Sequence, residues 1–442
     1  MLRITGRPFF VGVCEMSGMQ IAVLSLAVAM YAVVIIKGDW KAWAALITAA
    51  IMMALGVVGV KESFTTLINW DVLAIYVGSL VIAELFIYSN APACIADRII
   101  ARSSNVGLSI IAILVLTGLI SAVVDNVATV LLMAPICLSL CRKLKMDPTY
   151  FMIGLAVMAN LQGTATLVGD PPSMIFATFA HYGFNDFFFY DGKISIFWFV
   201  QIGMVAGAVY FWLYFRRWNE KPVVMREKKL LSFVPTILLI AMIIGLAICS
   251  FIFGGLSAAS GIFVMALAVI GLFWYRFSQK KGRSEVRRLV RGLDWETILF
   301  LIGVFVVVGA VQKSGLLDLL AESLGRAIGG NVVLGFVLII LVSVIVSGFV
   351  DNVPYIMVML PVAASLSQSM NLQPELYMFA LLIGSCLGGN LTPFGASANI
   401  VAMGILKKEG HKMNFADWLK IGVPFTLITT VASSVALYFV WR

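Results

Sequence analysis

The strongest constraint on this chain is a succession of apolar segments, most of them close to twenty residues long. A helix needs about 20 residues to cross ~30 Å of hydrocarbon. Hydrophobic residues make up 61% of the chain and charged residues only 12%, which leaves too few polar side chains to cover a water-soluble protein. The sequence therefore predicts an all-α polytopic membrane protein. The uninterrupted segments are residues 20–36, 42–60, 72–88, 194–215, 232–252, 255–275, 297–312 and 416–440.

Four further regions are apolar but interrupted. Residues 150–180 and 376–406 are each broken in the middle by Gly, Pro, Asn or Asp, a pattern that predicts broken helices. Residues 106–141 and 330–370 each consist of two shorter arms around an Asp-Asn pair, which predicts re-entrant hairpins. Irregular backbone at membrane depth is tolerated only where it is buried in protein or lines a cavity. We therefore expect these four regions to form the functional centre.

The chain also contains an internal repeat at an offset of 226 residues. Residues 121–140 and 347–366 share nine identities in 20, including the Asp-Asn pair and a later proline. The same offset places Gly163 on Gly389 and Thr166 on Thr392. Chance similarity between apolar segments would not keep its register through such residues, so we infer a duplicated fold.

The repeat and the interrupted regions together predict a topology. If each hairpin adds no crossing, each repeat has five transmembrane helices, and this odd number inverts the second repeat relative to the first. The predicted organisation is an N-terminal segment (1–19), a first inverted repeat (20–216), a basic cytoplasmic linker (217–231) and a second inverted repeat (232–442).

The basic residues predict the orientation of this topology. The loops assigned to one side hold 24 of the 31 Lys and Arg residues, so the positive-inside rule makes that side cytoplasmic. Both termini are then predicted outside the cytoplasm, in what we expect to be a bacterial inner membrane. Arg3 and Arg7, which fall on the outer side, are the discordant signal.

Four acidic residues lie inside the apolar segments: Glu84, Asp125, Asp170 and Asp351. No Lys or Arg lies at the same depth to pair with them, and a lone charge there costs at least ~2.5–3.5 kcal/mol, so such an acid indicates function by default. The alternative is a carboxyl group that only ties helices together. For Glu84, near its helix end, interfacial snorkelling is the favoured interpretation. Asp170 has no acidic counterpart, because the repeat places Ala396 there.

Several other functions are not supported by the sequence. Six cysteines without a CxxC pair and only two histidines indicate core packing and no metal cofactor. No HExxH motif or P-loop is present, so neither an enzyme nor ATP-driven transport is expected. The basic loop at residues 276–291 lacks interleaved aromatic residues for nucleic acid, and we expect it to face lipid head groups.

Three motifs carry a family resemblance: VDNVATVLLMAP, NLQGTATLVGDPPSMI and CLGGNLTPFGASANIVAMGI. They resemble the ion-transporter superfamily, in the branch of the P protein and of arsenite-permease-like and citrate-transporter-like (CitMHS-type) proteins. The resemblance implies that hairpin tips and broken helices enclose substrate and coupling ion, and that the protein is a homodimer. The dicarboxylate/sodium symporters of the superfamily carry Ser-Asn-Thr at the tips, where this chain carries Asp-Asn.

The site residues are predicted from the motifs together with this resemblance. We expect H⁺ or Na⁺ coupling at Asp125, Asp170 and Asp351, with a possible Na⁺ held by Asp125, Asn126, Asp351 and Asn352. The predicted substrate-binding residues are Asn126, Gly163, Thr164, Thr166, Asn352, Asn390, Thr392, Ser397 and Asn399.

The function that the sequence favours is secondary active transport by alternating access, with each hairpin and broken helix forming a moving, elevator-like substrate module. The predicted cargo is a small anion or oxyanion, a carboxylate or arsenite, coupled to H⁺ or Na⁺ across the lipid bilayer. A Na⁺/H⁺ antiporter is the alternative within the same class, because the interior contains acids only. An ion channel or a non-transporting membrane scaffold is the alternative from another class.

Overall fold

The structure is a computed structural model that describes residues 17–37, 40–221, 229–411 and 413–442. Residues 1–16, which include Arg3 and Arg7, lie outside the described residues. Most of the basic linker, residues 222–228, lies outside them as well.

The described residues are mostly helical, as predicted. The helices of the first half are α1 (Gly18–Ile36), α2 (Lys41–Ala54), α3 (Val60–Glu62), α4 (Trp70–Tyr88), α5 (Ala91–Arg102), α6 (Val106–Ser121), α7 (Asn126–Leu144), α8 (Thr149–Gly163), α9 (Pro171–Ala180) and α10 (Ile196–Phe215). A π-helical turn (Ser63–Leu67) follows α3, and a 3₁₀ turn (Asn185–Phe187) follows α9. A small antiparallel pair, β1 (Phe189–Tyr190) and β2 (Lys193–Ile194), is the departure from the predicted all-α class.

Within the described residues, helices are the regular secondary structure of the second half. Its helices are α11 (Val234–Phe253), α12 (Ala258–Phe277), α13 (Arg283–Arg291), α14 (Trp295–Lys313), α15 (Leu316–Ile328), α16 (Val332–Ser347), α17 (Asn352–Ser369), α18 (Pro374–Gly388), α19 (Ser397–Lys408) and α20 (Phe415–Trp441).

The predicted interruptions are real breaks in the helices. Residues 164–170 separate α8 from α9, and residues 389–396 separate α18 from α19. Short turns at residues 122–125 and 348–351 separate the arms of the two Asp-Asn regions. The sequence analysis did not predict α5, α13 and α15, because these short helices mix charged with apolar residues and so lack the continuous apolar pattern.

Seven of the described helices are long and apolar enough to cross a membrane. They are Trp70–Tyr88, Asn126–Leu144, Ile196–Phe215, Val234–Phe253, Ala258–Phe277, Trp295–Lys313 and Phe415–Trp441. Five shorter apolar helices, including α6, α16 and α18, accompany them. The number of crossings and the inversion of the second repeat stay predictions, since helix length alone does not distinguish a re-entrant arm from a full span.

The chain divides into two compact units, each built from separate stretches of sequence. The first contains the described residues of the ranges 17–69, 295–338 and 357–378. In it α2 packs directly against α14, since a Cβ on Gly303 would lie only 2.6 Å from the carbonyl carbon of Ala45. Leu317 and Val362 form a small apolar core in the same unit.

The second unit contains the described residues of the ranges 70–294, 339–356 and 379–442. Helix α4 packs against α12, and α10 packs against α20. Helix α8 is its centre, because it packs against α6, α7, α10, α19 and α20, and its residues from Phe151 to Gly163 are all buried. Both helix breaks and both Asp-Asn pairs belong to this unit, so the candidate site can be described within it.

Candidate functional site

Asp125 and Asp351 cap the N-termini of the helices that follow them. Asp125 Oδ2 accepts hydrogen bonds from the backbone N–H groups of Val127 (2.9 Å) and Ala128 (3.2 Å). Asp351 Oδ1 accepts one from Val353 N (3.1 Å). Such capping satisfies helix N–H groups that would otherwise lack partners. Both carboxylates are half-buried. These two predicted coupling-ion residues therefore also have a structural role as helix caps.

The asparagines beside them make matching contacts in the two halves. Ser121 Oγ donates to Asn126 Oδ1 at 2.7 Å, and Ser347 Oγ donates to Asn352 Oδ1 at 2.8 Å. Both asparagine side chains are buried, with 5% and 6% exposure. The repeat seen in the sequence is therefore also a repeat of side-chain geometry.

Two aligned glycines allow these asparagines to lie close to the helix breaks. A Cβ on Gly163 would lie 2.3 Å from Asn126 Oδ1, and one on Gly389 would lie 2.9 Å from Asn352 Oδ1. Real Cβ atoms essentially never approach another atom closer than 3.0 Å. Gly163, predicted as a substrate-binding residue, thus has a steric reason to be glycine.

The aligned threonines join each break to the adjacent hairpin turn. Thr166 Oγ1 donates to the backbone carbonyl of Ala122, and Thr392 Oγ1 donates to that of Gly348. Both threonines are buried. Their hydroxyl protons are thereby engaged in holding broken helix and hairpin together.

The two breaks differ at the residue that precedes the second helix segment. Asp170 precedes α9, but its side chain does not cap that helix. Its carboxylate lies within electrostatic range of Asp125, Asp351 and the Asn126 side chain. Pro171 and Pro172 begin α9 and have no N–H groups to offer a ligand. This end of α9 therefore presents an acid and few donors.

The corresponding end of α19 has the opposite character. Ala396 occupies the N-cap position and has no side chain with which to cap. The backbone N–H groups of Ser397 and Ala398 donate no hydrogen bond to any described residue. Ser397 is exposed while Ala398 is buried. A helix N-terminus with unpaired N–H groups and no acidic cap favours negative charge.

A buried asparagine that the sequence analysis did not select lies between the two halves. Asn160 Nδ2 donates to Asn390 Oδ1 and to Asn399 Oδ1, both at 2.8 Å. Its Oδ1 is 3.5 Å from Asn126 Nδ2, which donates to it. Comparison of the repeats could not reveal Asn160, because Cys386 occupies the aligned position. The available signal was an amide side chain in the apolar helix before the break, where Gln162 supplies a second one.

The remaining predicted residues lie around this group. Thr164 is buried, and its Oγ1 donates to the Asn160 backbone carbonyl at 3.4 Å. The Asn390 carbonyl accepts a hydrogen bond from Trp418 Nε1 on α20 at 2.9 Å. Glu84 is half-buried on α4, and none of the site contacts given above involves it.

The predictions about metals and cysteines apply to the described residues only. Within them, no group of three or more His, Cys, Asp and Glu side chains is placed to hold a metal ion. Cys137, Cys141 and Cys386 are buried and form no disulfide, in agreement with their interpretation as packing residues.

The apolar helices are those of an integral membrane protein, and comparison with known proteins shows that it is a transporter and not an enzyme. Comparison with known proteins identifies the family. The chain belongs to the Citrate transporter family, whose sequence profile matches residues 30–384 and, again, 326–442. This confirms the resemblance on which the site prediction partly depended.

The relatives include bacterial proteins described as transporters and the mammalian P protein. An uncharacterized transporter of Mycobacterium tuberculosis is 31% identical over 438 residues, covering 96% of this chain and 100% of its own length. The mouse P protein is 24% identical over 502 residues, covering 95% of this chain and 60% of its own length.

Two solved structures share the fold. The Alcanivorax borkumensis YdaH transporter has a TM-score of 0.59 at 14% identity, covering 95% of this chain and 98% of its own. Neisseria gonorrhoeae MtrF, described as one of a class of antimetabolite efflux pumps, has a TM-score of 0.56 at 13% identity, covering 89% and 84%.

Proposed function

We propose that this protein is a secondary active transporter that moves a small carboxylate or oxyanion together with H⁺ or Na⁺ by alternating access. The observation that carries the proposal is the difference in charge preference between the two helix breaks. One break presents Asp170 and two prolines, and the other presents Ala396 and an uncapped helix N-terminus. The family's description as citrate transporters agrees with an anionic cargo.

The cation is proposed to bind at the first break. Asp170 supplies a carboxylate that is not used as a helix cap, and Asp125 and Asp351 add negative potential nearby. Carboxylate and amide oxygens suit a hard cation, and a carboxylate also accepts a proton. The absence of N–H groups at Pro171 and Pro172 makes this end of α9 a poor anion site.

The anion is proposed to bind at the second break. Helix α19 has 12 residues and points its N-terminus, with the N–H groups of Ser397 and Ala398, into the break. Backbone N–H groups of a helix N-terminus bind carboxylates and other oxyanions without a basic side chain. A cation and an anion carried together cost less to transfer through the membrane than either charge alone. This is the physical reason for coupling the two ions.

The finer features of the mechanism are part of the same proposal. We propose inverted repeats, a homodimer, a bacterial inner-membrane location and termini outside the cytoplasm. The support is the repeat of contacts around Asn126 and Asn352, the distribution of basic residues and the bacterial relatives. Na⁺ enters only as a coupling ion, and no other cofactor is proposed.

A Na⁺/H⁺ antiporter is the second candidate. The carboxylate of Asp170 lies within electrostatic range of Asp125 and Asp351, which favours this candidate, because such a group can exchange protons for Na⁺ without any anion. The two candidates differ in whether an anion is required for ion movement.

Proteoliposomes that contain the purified protein and a trapped pH-sensitive dye distinguish these functions. Symport predicts proton or Na⁺ movement only after citrate or another small carboxylate is added, with uphill anion accumulation driven by the ion gradient. Na⁺-dependent proton flux without any anion would contradict the symport proposal and favour the antiporter. Anion flux that only ever runs downhill would indicate a channel.

A further inference from the structure

A cavity of about 560 Å³ lies between α5 and the start of α11, within the second unit. Its volume falls in the range of small-molecule sites, about 300–1,000 Å³. Its lining combines the charged side chains of Asp97, Arg98 and Lys229 with apolar ones that include Ile95 and Phe233. The contacts of the candidate transport site described above involve none of these residues, so the cavity requires an explanation of its own.

Two hydrogen bonds hold the wall of the cavity that carries Lys229. The Leu231 backbone N–H donates to the Ser89 carbonyl at 3.0 Å, and the Asn90 side-chain amide donates to the Lys229 carbonyl at 3.3 Å. Ser89 and Asn90 form the turn between α4 and α5. These bonds therefore fix the end of the basic linker against the start of the helix that carries Arg98, and they bring two basic residues that are distant in sequence to one cavity.

The polar groups of the lining favour a singly charged anion. Arg98 and Lys229 are exposed cations and Asp97 is a half-buried acid, which gives the lining a formal charge of +1. The cavity also lies at the N-terminus of α11, whose partial positive charge favours an anion. Thr236, which lines the cavity as well, has a buried hydroxyl with no hydrogen-bond partner among the described residues. Such a hydroxyl gains from an acceptor oxygen nearby.

An exposed apolar stripe runs along α11 from this cavity. It consists of Phe233, Ile237, Ile240, Ile244 and Ile248, whose spacing of three or four residues places them on one face of the helix. These 15 residues extend for about 22 Å at 1.5 Å per residue, which is more than one leaflet, half of the ~30 Å hydrocarbon thickness. A ligand with an anionic head and hydrocarbon chains matches both features, whereas a soluble phosphate ester would use only the cavity.

We propose that this cavity binds the head group of a phospholipid with one net negative charge, phosphatidylglycerol, while its acyl chains lie along the stripe of α11. Arg98 and Lys229 pair with the phosphodiester oxygens, as basic pockets between transmembrane helices do with anionic head groups. The bound lipid then joins α5 to the start of α11. This inference does not depend on which ion the protein transports.

Native mass spectrometry of the full chain, released from detergent micelles, measures the dissociation constant of the first bound lipid. We expect phosphatidylglycerol to bind more tightly than phosphatidylcholine with the same acyl chains. Arg98→Gln and Lys229→Gln each remove one charge from the cavity and retain much of the side chain. Each should weaken phosphatidylglycerol binding by about fivefold, the contribution of one basic residue next to an anionic lipid, and leave phosphatidylcholine binding unchanged.

Lys407→Gln is the matched control. It removes one exposed charge at the end of α19, outside the cavity, and should leave phosphatidylglycerol binding unchanged. All three substituted residues are exposed, so the variants should melt at the temperature of the unchanged protein when no lipid is added.

Several outcomes would overturn the proposal. Equal affinity for the two lipids, or equal weakening by Lys407→Gln, would indicate only a general attraction between the basic protein and lipid. Tighter binding of soluble glycerol phosphate than of phosphatidylglycerol would assign the cavity to a soluble ester. A changed ratio of monomer to dimer in Arg98→Gln and Lys229→Gln, without a change in lipid binding, would assign this face to contact between two copies of the chain.

Discussion

Substituting Gly163 with alanine perturbs the candidate site at one defined point. The added Cβ would lie 2.3 Å from Asn126 Oδ1 and 2.8 Å from its Nδ2. To restore ordinary contact the Asn126 side chain must shift by about 1 Å, the gap to the 3.4 Å at which such contacts begin. That shift breaks the 2.7 Å bond from Ser121 and the 3.5 Å contact with Asn160.

The expected cost follows from these losses. Overpacking costs about 1–3 kcal/mol, and a buried amide left without partners costs about another 1–3 kcal/mol. The higher helix propensity of alanine returns up to ~1 kcal/mol. We therefore expect Gly163→Ala to lower the free energy of unfolding by about 1–6 kcal/mol. Gly389→Ala should cost less, because its closest contact, Asn352 Oδ1, is at 2.9 Å.

Gly404→Ala is the matched control, since Gly404 lies within α19 with no atom within 4 Å of its added Cβ. It should be neutral or stabilising by up to ~1 kcal/mol. Denaturant unfolding of the purified variants in mixed micelles measures all three free energies. If the free energies of unfolding of Gly163→Ala and Gly404→Ala differ by less than about 0.5 kcal/mol, the close packing of Gly163 against Asn126 is refuted.

Two further predictions concern exposed groups. Lys313 and the Gly59 amide hold the pKa of Glu62 below its usual value of 4.5, so the stability from this pair is present above that pH and is lost as pH falls through the lowered pKa. Glu62→Gln should remove the dependence of the melting temperature on pH in that acidic range only. An unchanged dependence would contradict the stabilising role of this ion pair. In a cysteine-free background, Ser397→Cys should react with a soluble maleimide, and citrate should slow this reaction. Ala398→Cys should stay unreactive, because Ala398 is buried. Equal labelling of both variants would contradict the exposed N-terminal turn of α19.

The sequence predicted those parts of the fold that depend on pattern. Apolar length located the long helices, and Gly, Pro, Asn and Asp at residues 164–170 and 389–396 located both breaks. Helices α5 and α13 escaped prediction because charged residues such as Arg98 and Arg287 interrupt their apolar character. The division into two discontinuous units depends on contacts distant in sequence, which no local pattern records.

The sequence singled out residues of the candidate site, and the roles assigned to them stay predictions. The repeat singled out Asp125 and Asp351, but their capping bonds depend on backbone angles that the residue types leave open. Asn160 was missed because its contacts lie 230 and 239 residues away in the chain. The contrast between Asp170 and Ala396 was visible in the sequence, whereas the uncapped N-terminus of α19 required the structure.

Citrate binding at different pH values and Na⁺ concentrations tests the central claim most directly. Calorimetric titrations between pH 6.5 and 8.5 compare the unchanged protein with Asp170→Asn. The variant is the control for the protonation of citrate itself, which affects citrate binding to both proteins. Coupled binding predicts that citrate affinity in the unchanged protein rises with proton or Na⁺ concentration, and that this dependence is lost in Asp170→Asn. Citrate binding with the same pH and Na⁺ dependence in both proteins would contradict the account.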